Sequence, residues 1–141
     1  MAASREEASA IASVDDLVAM GAALSRAAAH RYAASAAATA AAGNGLTAEL
    51  LRSLAAAQHA ESESTVPLPR DLSVTLDELG DDDPYTLAPY RVLAVAVQHH
   101  QRIFAFYAYI AAYAEEKSVR RLAETLASEQ LDLAALRRRE R

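Results

Sequence analysis

Two short breaks and one long connection divide this chain into four stretches of helical periodicity, and that division limits the folds open to it. The first stretch opens after Ser13, whose hydroxyl can cap a helix with Asp15 and Asp16 in its first turn, and it ends at Gly43-Asn44-Gly45. Its inward stripe runs Leu17, Gly21, Leu24, Ala28, Tyr32 and Ser35, close to the 3.6-residue period. Thr47 is read as the cap of a second helix reaching about residue 63, with Leu50, Leu51, Leu54, Gln58 and Glu61 on one face.

A long connection follows over residues 64–89, carrying Pro67, Pro69, Gly80, Asp81-Asp82-Asp83 and Pro84, with a brief helical turn expected at 76–79. Pro89, a favoured first-turn residue, opens a third helix to about residue 114. After the tight break Glu115-Glu116-Lys117, Ser118 is read as the cap of a fourth helix to about residue 139. Its stripe is Val119, Leu122, Leu126, Glu129 or Gln130, Leu133 and Leu136. Helices of roughly 25 residues span about 38 Å and can pack side by side. The expected fold is all-α: an antiparallel four-helix bundle over residues 14–139 with a long crossover between helices 2 and 3, preceded by a flexible N-terminus at 1–13.

Composition agrees, since the 52% of hydrophobic residues are dominated by alanine and there are only four glycines and four prolines in 141 residues. The absence of cysteine excludes disulfides, zinc fingers, iron-sulfur clusters and thiol catalysis, and a reducing cytoplasm is the expected location. Net charge of −5 argues against nucleic acid as a partner, and Arg137-Arg138-Arg139 is read as a helix end whose cations complement the dipole. The apolar stretch 92–114 is interrupted by Gln98-His99-His100-Gln101-Arg102, which would be expensive in hydrocarbon, so no membrane partner is expected.

The second half carries a resemblance. Phe104-Ala105-Phe106-Tyr107, Ile110-Ala111 and then Ser118-Val119-Arg120-Arg121-Leu122-Ala123 through Leu136 are similar to the third and fourth helices of the rubrerythrin branch of the ferritin-like superfamily. The resemblance covers most of residues 14–138. In that family the bundle interior binds two irons through a glutamate on helix 1, Glu-x-x-His on helix 2, glutamates on helix 3 and a second Glu-x-x-His on helix 4. Hard carboxylate oxygens stabilise ferric iron, and imidazole completes the coordination.

Matched position by position, this chain departs from that set on every helix. Counting seven residues back from Tyr32 puts Ser25 at the first glutamate. Gln58 and Glu61 stand at the first Glu-x-x-His, and Gln130 and Leu133 at the second. The register from Tyr107 puts His99 or His100 at the third-helix glutamate, with a further one falling at Arg102 or Ile103. One carboxylate does not offset the burial of two divalent ions. The resemblance therefore implies a bundle that has lost its di-iron site, holds no cofactor and serves as a structural or interaction module. In that reading Glu61 pairs with His99, and Gln58 with Gln130, across the core.

The alternative is a metal-binding oxidoreductase or iron-handling protein, with iron or another divalent ion held by Glu61, His99 or His100, and His59 as a further candidate. A third reading is ligand binding in the vacated interior, lined by Leu54, Leu126 and Phe106. Since His99 and His100 project about 100° apart, one faces the bundle axis and the other an interface or solvent. His30 is read as a flank residue and Met20 as core. The aromatic run Phe104, Phe106, Tyr107, Tyr109 and Tyr113 nearly encircles helix 3, and a face bearing Tyr109 and Tyr113 is the expected homodimer surface; an unidentified protein partner is the other option.

Overall fold

A computed structural model describes residues 11–58, 72 and 75–140. The described residues are helical apart from turns and short connections. The helices are α1 (Val14–Ala41), α2 (Gly45–Ala57), a 3-10 turn at Thr75–Asp77 leading into α3 (Glu78–Asp81), α4 (Pro89–Tyr113) and α5 (Lys117–Glu140). The most extensive packing joins α4 to α5 and α1 to α2, while lesser contacts join α1 to α5 and α2 to α4. These four contacts close a ring of four helices. No helix among the described residues is long and apolar enough to cross a membrane.

Local chemistry sets most boundaries. Ser13 accepts from the Asp16 backbone N–H at 3.1 Å, and the Asp16 carboxylate accepts from Ala12 N–H at 3.2 Å, so both ends of the cap are satisfied. At the other end of α1, Gly43 has φ +81° and its N–H reaches Ala40 O, while Asn44 N–H reaches Thr39 O. That pair of bonds is a Schellman motif, and the left-handed residue it needs is glycine. The α4–α5 turn is fastened by Arg120, whose Nη1 donates to Ala114 O at 2.8 Å and to Glu115 O at 3.0 Å.

Three expectations at this level are corrected. Thr47 does not cap α2, which starts at Gly45; its hydroxyl donates to Leu87 O at 2.8 Å, and Asn44 Nδ2 donates to Pro84 O and Leu87 O. Both side chains thus tie α2 to the connection before α4. The second helix stops at Ala57, because Gln58 is already extended with ψ 111°. The rest of the expected second helix, residues 59–63, lies outside the described residues. On α5 the buried line is Val119, Ala123, Ala127 and Ala134, with Leu122, Leu126 and Leu133 half-buried at its sides and Leu136 exposed. Alanines at the centre let α5 approach α4 closely, and the leucines then straddle the contact rather than fill it.

The interior forms two separate clusters. The first gathers Leu17, Met20 and Leu24 of α1, Ile103, Phe106, Tyr107 and Ile110 of α4, and Val119 and Ala123 of α5. Ile11, just before α1, is buried in it as well. The second gathers Ala28, Tyr32 and Ala36 of α1, Leu51 and Leu54 of α2, Val92, Val95 and Ala96 of α4, and Leu76, Leu79 and Leu87 of the connection. Gly21 packs close beside the first: a Cβ there would sit 3.2 Å from the Tyr107 hydroxyl, which would have to shift by a few tenths of an ångström. Burial pushes the Tyr107 phenol up to about 12, with Glu129 adding to the rise.

Candidate functional site between the two cores

Along α1 the changeover between clusters falls between Leu24 and Ala28, and along α4 between Ala96 and Ile103. Polar residues occupy those gaps: Ser25 on α1, His99 and His100 on α4. Ser25 is half-buried. Both histidines are buried, at 3% and 2% exposure, so of the two alternatives for the ring turned off the axis, interface and solvent, it is the interface that holds. The 100° between them separates two interfaces, not inside from outside.

His100 faces α5. Its Nδ1 lies 2.8 Å from Gln130 Oε1, and since an amide oxygen only accepts, the imidazole carries its proton on Nδ1 and donates. Burial pushes the His100 pKa down, the Gln130 acceptor opposes that, and the Arg137 guanidinium lowers it further. Gln130 is therefore satisfied by His100 rather than by Gln58, which sits at the C-cap of α2 outside this contact.

His99 faces the other way, toward α1 and the connection. It lines a recess of about 10 Å³ with Leu24, Ala28, Arg31, Leu72 and Leu76, room for about one water molecule. Its Nδ1 is buried with no hydrogen-bond partner. Burial, then His100, then Arg31 hold its pKa down at about 3, so the ring is neutral. Arg31 is itself engaged, its Nε donating to Asp77 Oδ1 at 2.7 Å. The adjacent rings lie 5.7 Å apart, tilted by 54°.

Among the described residues no three His, Asp, Glu or Cys side chains gather closely enough to hold a metal ion. Glu61 and His59 lie outside the described residues, so the expected Glu61–His99 pair lies outside them too. Leu133 is half-buried and His30 exposed, while Met20 is core. The interior pocket expected from Leu54, Leu126 and Phe106 does not form as one space: Leu54 belongs to the second cluster, Phe106 to the first, and Leu126 packs at the edge of the first.

One interior residue was hidden in the sequence. Arg137, seven positions after Gln130 on the same face of α5, has a side chain only 12% exposed. Its Nε is buried without a partner, and so is the Tyr32 hydroxyl. The guanidinium acts electrostatically on both Tyr32 and His100. The signal that could have found it is the spacing Ala123, Ala127, Gln130, Ala134, Arg137, which follows the alanine line instead of the leucines. Comparison with known protein families, with curated proteins and with solved structures finds no match for this chain.

Proposed function

We propose that this chain is a ferritin-like, rubrerythrin-related bundle that has lost its di-iron site and works as a structural or interaction module of the cytoplasm. The observation that supports this most directly is the His100–Gln130 hydrogen bond, 2.8 Å long, between two of the positions matched to iron ligands. A neutral imidazole whose Nδ1–H is spent on an amide oxygen pins α4 to α5 inside the core. It replaces anionic ligands with a self-satisfied neutral pair. Aerobic incubation with ferrous iron is expected to show no oxidation above a buffer control, and purified protein well under one metal ion per chain. Stoichiometric iron with rapid oxidation overturns the proposal.

The interaction surface of this reading is a homodimer through the outer face of α4. Tyr113 is exposed and its ring lies 4.7 Å from that of Tyr109, so the two present one aromatic patch. Sedimentation should find a dimer that Tyr113→Glu dissociates, and a monomer at all concentrations removes this part of the proposal.

A second reading, an iron-handling or oxidoreductase site around Glu61 and His99, draws on the unpartnered and neutral His99 Nδ1, which is the form of imidazole that ligates metal. Glu61→Gln should then abolish metal binding. Unchanged metal content in that variant removes the only anionic ligand the reading has.

A further inference from the structure

At the end of the molecule where α2 begins, α4 begins and α5 ends, the helices leave a groove of about 350 Å³. That volume lies at the lower end of the range for small-molecule sites, about 300–1,000 Å³. The groove lies between α2 and α5, opposite corners of the four-helix ring, with the start of α4 as its floor. Its walls are apolar: Leu46, Leu50 and Leu54 on α2, and Pro89 and Leu93 on α4. Leu46 stands at the rim, 73% exposed.

The third wall is ionic, formed by Arg137 and Glu140 of α5. Arg137 Nη1 donates to Glu140 Oε2 at 3.0 Å and to Oε1 at 3.2 Å. This is an i,i+3 pair in the last turn of the helix with a carboxylate 40% exposed, a type of contact that exchanges readily. The guanidinium behind it is far less replaceable. The Arg137 side chain is only 12% exposed, its Nε is buried without an acceptor, and the Tyr32 hydroxyl in its field has no hydrogen-bond partner. Two buried polar atoms at this end of the interior, Arg137 Nε and Tyr32 Oη, thus lack partners beside the apolar groove.

We propose that the groove binds a small amphipathic carboxylate of the medium-chain acyl type, with its chain along Leu46, Leu50 and Leu93 and its carboxylate on Arg137 in place of Glu140. A planar carboxylate matches the guanidinium fork, and a single guanidinium matches a single negative charge. The leucine walls select an acyl chain over a bare anion. Binding an anion to a chain of net charge −5 requires this kind of local cation, since the overall field opposes it.

The test is calorimetric titration of the full chain with sodium decanoate below its micellar range, with sodium acetate and decan-1-ol as controls. Decanoate should bind saturably at one per chain, and acetate and decan-1-ol at least about tenfold more weakly, since each lacks one half of the match. Arg137→Gln should weaken decanoate binding by about tenfold or more. Glu140→Gln should strengthen it, because the carboxylate that competes for Arg137 is gone; its exposed position keeps this variant informative even if Arg137→Gln fails to fold. The proposal is overturned if decanoate gives no saturable binding, if decan-1-ol binds as well as decanoate, or if Glu140→Gln leaves the affinity unchanged or lower.

Discussion

The core around Phe106 holds two aromatics, Phe106 and Tyr107, beside Ile103 and Ile110, whereas the core around Ala96 is built mainly of leucines and valines, with Ala28, Ala36 and Ala96 as its small members on α1 and α4 and Tyr32 as its one aromatic. In the first, stability comes from volume that must not be emptied. In the second, Ala28, Ala36 and Ala96 add places where a larger side chain would obstruct the packing. Between them lies the layer of His99, His100 and Gln130, whose two sides differ in the same way: His100 is bonded across a tight α4–α5 contact, and His99 sits unpartnered against a small recess. The two clusters thus fail by opposite substitutions.

The largest effect should follow Phe106→Ala, which leaves a cavity in the first core and is expected to cost about 3–5 kcal/mol in denaturant unfolding. A loss below about 1 kcal/mol would mean that this core collapses as easily as the other. Acidification comes next and probes the layer between the cores. Both histidines have folded pKa values below the ordinary 6.5, that of His99 about 3, so the unfolded chain takes up protons that the folded one refuses. Stability should therefore be full above about pH 6.5 and fall as the pH drops toward 3, by up to about 1.4 kcal/mol per pH unit for each histidine. Unfolding curves collected from pH 7 to pH 4 check the sign; a flat profile in this range would place the two rings in water.

Ala96→Leu is the converse of the phenylalanine truncation and should cost about 1–3 kcal/mol by forcing the helices of the second core apart. If the extra side chain instead stabilises the protein, the second core contains space at Ala96 and the contrast between the clusters fails. The smallest expected loss, about 1–3 kcal/mol but toward its lower end, belongs to Gln130→Leu, which strands the His100 Nδ1–H in the interior. The double substitution Gln130→Leu with His100→Phe should recover part of that loss, because it removes both polar partners together. An unrecovered loss would show that Gln130 acts through some contact other than His100.

Much of the fold was legible because helix boundaries are local matters. Ser13, Gly43 and Pro89 act on their own turns through a hydroxyl, a left-handed backbone and a fixed φ, and each stands where the sequence predicts it to act. Thr47 misled because its hydroxyl had a better acceptor, Leu87 O, forty residues away. The α5 stripe misled for a related reason. Counting hydrophobic residues ranks leucine above alanine, but the closest helix contact is made by the smaller side chain, so the interior line is turned onto Gln130 and Arg137.

The sequence by itself determined that this chain is helical and where most of its helices start and stop. Those properties depend on residues within a turn or two of one another. Only the tertiary structure decided that His100 and not Gln58 satisfies Gln130, that His99 is buried without a partner, and that Arg137 turns inward beside a leucine-walled groove. Each of these depends on the rotation of one helix against another. That rotation is set by the fit of side chains across the interface, which a single helix does not encode.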